Sequence, residues 1–272
     1  MSRRSLPVFG DASELPALLG LPAPVAARQA LHVPDRDDLS ARVLELLGVV
    51  KQALMAPPAE GTVVVSLEDL GPSDRDALWD MLGEGEVSIV VQGTARYEIE
   101  ETSLPGVYRV RTRRDEGDSL HLEIGAVPAV VAYAAEHGTS GDLPIEEPPP
   151  AGLMNAQPLL AEIRHRMTSP DAHDRNHVMS LSLLPLNDAD ATYLARVLGA
   201  GPVKAESRGY GTCRVTATSR RGVWAVQYYN AMEQLILDTL EVGGVPSALV
   251  AAPMDLEDSG ARLAELLEEA AE

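Results

Sequence analysis

Apolar residues recur at helical spacing in the segment Arg42–Leu54, where Val43, Leu44, Leu46, Leu47, Val50 and Leu54 form one stripe. Thr62–Leu67 is a short β-branched run and is read as a buried strand. Ser73 is read as the cap of a helix whose Leu78, Met81 and Leu82 fall at i, i+3 and i+4, and Gly83-Glu84-Gly85 as its stop. Strands are expected near Val87–Val91, Ala95–Glu101, Val107–Thr112 and Leu120–Ile124, with hairpin turns at Pro105-Gly106 and Asp115–Asp118. Pro128 then opens a short helix through Glu136. The pattern reads α-β-α-β-β-β-β-α.

The same order recurs downstream. Pro158–Met167 carries the first helix, Met179–Leu184 the first strand and Asp188–Leu198 a capped helix. In Val223–Tyr228 the residues Trp224, Val226 and Tyr228 alternate on one face. The resemblance extends to identity. At an offset of 116 residues, the 45 positions from Ser66 to Val110 contain 15 matches, among them Leu82/Leu198, Gly83/Gly199, Gly85/Gly201, Thr102/Thr218, Ser103/Ser219 and Gly106/Gly222. After a two-residue slip between Tyr229 and Leu235, Glu123–Pro128 matches Glu241–Pro246. This is an internal duplication. The expected architecture is α+β, with two tandem lobes, each a mainly antiparallel sheet with packed helices.

The expected divisions are an extended proline-rich arm at 1–38, a first repeat at 39–137, and a linker at 138–152 containing Glu146-Glu147-Pro148-Pro149-Pro150. A second repeat follows at 153–257. An acidic amphipathic helix closes the chain at 258–272, with Leu263, Leu266 and Leu267 inward.

Composition narrows the function. The 272 residues are 45% hydrophobic but only 4% aromatic, so the core rests on Leu, Val and Ala. A formal charge of −19 would repel a phosphate backbone, and nucleic acid is not expected as a partner. Proline and acidic residues break the apolar stretch near the N-terminus, and no apolar run reaches membrane-spanning length, so neither export nor membrane insertion is expected. Cys213 is the single cysteine, which excludes an intrachain disulfide and suits a reducing cytoplasm.

Candidate chemistry is sparse. The copies differ most in one loop: Gly93-Thr94-Ala95-Arg96-Tyr97 in the first, Ser207-Arg208-Gly209-Tyr210-Gly211-Thr212-Cys213-Arg214 in the second. Two glycines around Tyr210 allow close approach of another chain. Arg208 and Arg214 flank Cys213 and would lower its pKa; the plainer reading is a buried small residue on a strand. His173 and His177 have the spacing of a helical metal pair, with His165 nearby, but their surroundings lack apolar periodicity and read as a loop. The paired glycines follow helices rather than strands, so they are not phosphate cradles. Glu100 and Glu101 face opposite sides of a strand, and Asp74 and Asp190 suit helix N-termini. No catalytic group, metal site or cofactor is expected, and the chain is not read as an enzyme.

Leu82–Val87 and Pro105–Val110 resemble the first-copy signatures of the HupH/HyaF hydrogenase expression/formation proteins. Ser207–Arg214, Val223–Asn230 and Asp238–Val242 are similar to that family's second-copy signatures, and the proline-marked arm fits as well. The resemblance implies a cytoplasmic accessory protein for a membrane-bound [NiFe] hydrogenase. Its partner would be the iron–sulfur-carrying small subunit before twin-arginine export, with a thioredoxin-like accessory protein as a second. On this reading Arg208, Gly209, Tyr210, Gly211, Cys213, Trp224 and Tyr228 face the client. The competing expectation is an iron–sulfur assembly or redox maturation factor acting through Cys213.

Overall fold

The computed structural model describes residues 39–58, 61–169, 176–209 and 211–269. The expected arm, His173 and Tyr210 lie outside them. In the first repeat the order is α1 (Ala41–Met55), β1 (Val63–Ser66), α2 (Pro72–Leu82), β2 (Val87–Gln92), β3 (Arg96–Glu101), β4 (Val107–Arg113), β5 (Ser119–Ile124) and α3 (Ala129–His137). The second runs α4 (Ala156–Met167), β6 (His177–Ser180), a 3₁₀ turn (Leu181–Leu183), α5 (Asp188–Leu198), β7 (Ala200–Arg208), β8 (Thr212–Thr218), β9 (Val223–Tyr229) and β10 (Leu235–Val242). A second 3₁₀ turn (Ser247–Leu249) leads to α6 (Pro253–Glu269). The fold is α+β, and within each repeat every strand pairing is antiparallel: β1-β5-β4-β3-β2 in the first, β7-β8-β9-β10-β6 in the second.

The shared residues of the two copies make the same contacts. Gly83 and Gly199 stop α2 and α5 at φ of 61° and 62°, the left-handed region open to glycine. Ser103 and Ser219 then each donate to the last helical carbonyls, of Leu82 and Leu198, at 2.7 Å. Next to the stop, a Cβ on Gly85 or Gly201 would lie 2.2 Å from the carbonyl of Thr102 or Thr218. One clamp thus fastens the helix end to the following hairpin, twice.

Some boundaries depart from expectation. The α2 helix begins with Pro72 after Gly71, and Ser73 lies inside the first turn without a capping bond, because proline takes the N1 position. The β1 strand is an outer strand rather than a buried one, leaving Val64 59% exposed. The α6 helix starts at Pro253, ahead of the expected Ser259, with Asp255 accepting from the Ala252 amide. The segment 138–152 is not a free tether: Leu143 joins the apolar core of the second repeat, and the Glu146 amide donates to the Tyr193 hydroxyl.

The chain divides into two compact units, and the division does not follow the repeats. Among the described residues, 132–249 form one; 39–131 and 250–269 form the other. The final helix α6 therefore belongs with the first repeat. It packs along α1, where Gly260 lets the backbones approach: a Cβ there would sit 3.3 Å from Leu54 Cβ and 3.2 Å from Met55 Cγ. Leu256, Leu263 and Leu266 join Val43, Leu47, Val50 and Leu54 in one core. Ser259 donates to the Pro105 carbonyl and Arg262 to that of Ser103, so α6 also grips the β3–β4 turn.

Candidate functional site

The place where the copies stop matching is one end of the second repeat. β7 and β8 are joined by Gly209–Gly211, and the Gly209 amide donates to the Gly211 carbonyl, as Gly93 does to Ala95 in the first copy. A Cβ on Gly211 would lie 2.5 Å from the Tyr229 carbonyl. The close approach this glycine permits is to its own chain rather than to another.

Two insertions meet here. By strand pairing, His177 occupies in the second copy the place of Val63 in the first, since each pairs with the last residue of its neighbour, Val242 or Ile124. Ser66-Leu67 therefore corresponds in space to Ser180-Leu181, not to Ser182-Leu183 as sequence identity indicates. Leu67 and Leu181 are buried, whereas Leu183, in the two added residues, is 83% exposed. The second insertion lengthens the β9–β10 hairpin and puts a bulge between Leu235 and Leu237. Ser182 of the first insertion accepts a hydrogen bond from the Asp238 amide just beyond the second, at 2.9 Å. Among the exposed apolar residues, Leu183, Leu184, Met232, Ile236 and Leu237 belong to these segments or adjoin them.

Beneath this surface lies a buried polar network. Glu206 and Arg214 pair across β7 and β8, with Arg214 Nε donating to Glu206 Oε2 at 3.1 Å and Arg208 Nε to Glu206 Oε1 at 2.5 Å. Arg214 Nη2 reaches Glu233 Oε2 at 3.1 Å, and its guanidinium lies 4.5 Å from the centre of the Tyr229 ring. The Tyr229 hydroxyl donates to Gln227, and Gln227 Nε2 to Asp238. Burial alone would lower the Arg214 pKa, but the bonds to Glu206 and Tyr229 raise it above its ordinary value, so it stays charged. Glu233 sits at φ 55° in a turn built on Asn230, whose side chain accepts from the Met232 and Gln234 amides. The first copy has the opposite polarity at this place: Glu98 stands where Arg214 does, bonded by Arg96 at 3.0 Å and Arg113 at 2.9 Å.

The expected client-facing set is only partly assembled on this surface. Gly209 is exposed, and Arg208, Gly211 and Tyr228 are half-buried. Trp224 is 1% exposed, so the expectation that it faces a client is corrected: β9 is covered on both faces there, and the ring is core. Cys213 is also buried, paired across the sheet with Ser207 and Tyr228. Burial pushes its thiol up to about 11, offset in part by the Tyr228 hydroxyl and reinforced by Glu241. Tyr228 in turn is pushed up to about 12, by burial first and then by Cys213 and Glu241. Arg208 and Arg214 do not activate the sulfur, because strand alternation puts them on the other face, against Glu206. Sequence reasoning missed Glu206, Glu233 and the exposed leucines; their signal was the position of the insertions, which identity alone misplaced by two residues.

His177 Nε2 lies 2.7 Å from Glu162 Oε1 in β6 rather than in a loop. Among the described residues no three His, Cys, Asp or Glu side chains are grouped to hold a metal ion, and no helix is long and apolar enough to cross a membrane. Asp190 has a task that its match Asp74 lacks among the bonds described. It is fully buried, its Oδ1 accepts from the Met154, Asn155 and Ala156 amides that start α4, and its Oδ2 from Asn187.

Comparison with known proteins places these features in context. The family model described as "HupH hydrogenase expression protein, C-terminal conserved region" matches twice, over residues 42–146 and 153–270. The chain is 40% identical over 232 residues to the hydrogenase expression/formation protein HupH of Rhizobium leguminosarum bv. viciae, covering 84% of this chain and 82% of that one. It is 38% identical to hydrogenase expression/formation protein HoxQ of Azotobacter vinelandii, over 96% of each. Against the hydrogenase-1 operon protein HyaF of Escherichia coli (strain K12) identity is 33%, over 92% of this chain and 87% of that one. A solved structure of hydrogenase expression protein HupH from Thiobacillus denitrificans ATCC 25259 is 29% identical over 43% of this chain and 97% of its own, with a TM-score of 0.38.

Proposed function

The chain belongs to the HupH hydrogenase expression protein family, and from that premise we propose that it is a non-catalytic maturation chaperone. Its role is that of a hydrogenase accessory protein, a reading supported by relatives named as hydrogenase expression/formation and hydrogenase operon proteins. Its client is the immature small subunit of a membrane-bound [NiFe] hydrogenase, held in the cytoplasm while its iron–sulfur clusters are completed and before export. A thioredoxin-like accessory protein is a second partner.

The observation that carries this reading is the exposure of apolar residues in both insertions, which the bond from the Asp238 amide to Ser182 links. A holding protein must offer apolar area to a client whose own core is unfinished, and monomers rarely keep such area in one place without a partner. The rival reading, redox or cluster chemistry through Cys213, draws no support from a buried thiol whose pKa is about 11.

The decisive measurement is co-purification of the tagged chain with the small-subunit precursor, with and without its signal peptide. A complex with at least one form is expected. Recovery of neither would remove the chaperone reading.

A further inference from the structure

The two repeats give up matching parts of their chain. After the two-residue slip, Glu123–Pro128 aligns with Glu241–Pro246, and the match continues in space. The Val131 amide donates to the Pro128 carbonyl at 3.0 Å, and the Leu249 amide to that of Pro246 at 2.9 Å. Both Val131 and Leu249 are buried. Directly after each of them the chain passes from one compact unit to the other, at Val131/Ala132 and at Leu249/Val250. The two crossings are therefore made at equivalent positions and in opposite directions.

What leaves the first repeat is held by the second. Leu143 lies in the core of α4 and α5, and a Cβ on Gly138 would sit 3.1 Å from Pro202 Cγ. The Ser140 amide donates to the Ser219 carbonyl at 2.9 Å, and the Ser140 carbonyl accepts from the Arg221 amide at 2.8 Å. What leaves the second repeat is held by the first. The Ala251 amide donates to the Ala126 carbonyl at 2.8 Å, and Leu256, Leu263 and Leu266 enter the α1 core. Leu256 fits the β3–β4 turn so closely that a Cβ on Gly106 would lie 2.0 Å from its Cδ2. Arg262 donates to the Ser103 carbonyl. Ser103 and Ser219 are the matched clamp serines of the β3–β4 and β8–β9 turns. Both departing segments thus reach the same carbonyl of the same turn, each in the other repeat.

Equivalent departure points, opposite directions and a shared acceptor carbonyl are what a reciprocal exchange between two copies of one unit produces. We infer that the chain is a fused exchanged pair, in which each repeat presents a docking surface for the trailing segment of the other and is incomplete without it. On the first repeat that surface is the α1 stripe with the β3–β4 turn, and it takes an amphipathic helix through its leucines. On the second it is the α4–α5 core with the β8–β9 turn, and it takes a non-helical segment through Leu143 and the main chain of Ser140. The two occupants differ in kind, so each half completes the other rather than itself. Two crossings tie the units together, and a break in the chain between the repeats should leave them joined. This holds whether or not the client reading does.

The test uses the full chain with a site-specific protease sequence inserted after exposed Pro149. Once cleaved, the halves should co-elute at the mass of one chain in native buffer and part in denaturant. Two cysteine pairs read the exchange directly, since Cys213 is buried. Ala126→Cys with Ala251→Cys, and separately Ser140→Cys with Arg221→Cys, place thiols on different halves where the main chains are bonded. Treating the native cleaved protein with a short bismaleimide should convert the two half-length bands of a denaturing gel into one full-length band, for each pair. Halves that separate in native buffer, or that either pair fails to join, overturn the inference. Joined halves that elute at twice the mass would put the exchange between two chains and overturn its fusion within one.

Discussion

Two buried ionisable residues illustrate how environment sets role. Cys213 stands between two arginines in sequence, Arg208 five residues before it and Arg214 next to it. On a strand, neighbours in sequence are on opposite faces, and the sulfur is left with burial and Tyr228. With its pKa raised to about 11, the thiol is neutral at physiological pH, so native protein should react with iodoacetamide far more slowly than denatured protein. Cys213→Ser should support normal hydrogenase maturation in cells; fast native alkylation, or loss of maturation, would restore the redox reading. Asp190 is the opposite case. Burial is the largest single influence and pushes its pKa up, yet the amides of Ala156, Asn187, Met154 and Asn155 together bring it below the ordinary aspartate value. Its contribution to stability is therefore complete above about pH 4, the unfolded value, and is lost as pH falls through the lower folded one. Asp190→Ala should cost about 2–3 kcal/mol at neutral pH, with the deficit shrinking in acid; equal melting curves for the two proteins at pH 7 would contradict it.

The elements were readable wherever a local rule governs them. Periodicity located α1, α2 and α5 and the strands β2 to β5 and β9, since burial of one face is a local demand, whereas the ends of β7 and β8 were read as one loop. Insertions were harder to read. Ser-Leu occurs twice in Ser180-Leu181-Ser182-Leu183, and only pairing with β10 decides which copy is structural. The buried polar network was invisible for the same reason, being assembled across the pairings of β7, β8, β9 and β10 and a turn. Glycines separate the two kinds of position. Gly201→Ala would drive a Cβ to 2.2 Å from the Thr218 carbonyl and should destabilise by about 1–3 kcal/mol. Gly48→Ala, within α1 and with nothing within 4 Å of its Cβ, should instead stabilise by about 0.5–1 kcal/mol. Thermal melts of the two variants should move in opposite directions, and a shift of the same sign would show that the clamp is not rigid.

At the scale of the molecule, duplication in sequence is not duplication in space. Composition and repeat matching divide the chain in the middle, but contacts assign α6 to the first repeat, where its leucines complete the α1 core. Removing residues 250–269 should therefore loosen the first repeat and spare the second. Hydrogen exchange on the truncated protein should show α1 and β1 losing protection while α4, α5 and β8 keep theirs; uniform loss would mean the units fold as one.

That same helix imposes an order on synthesis. The unit of residues 132–249 has every segment it needs before α6 has been made, whereas the α1 core waits for a partner about 200 residues downstream. Ribosomes add roughly 5–20 residues each second, so Val43, Leu47 and Leu54 lack the leucines of α6 for on the order of ten seconds or more. The half of the protein that is translated first is thus the half that finishes folding last, and the surface assigned to the client is in place before it.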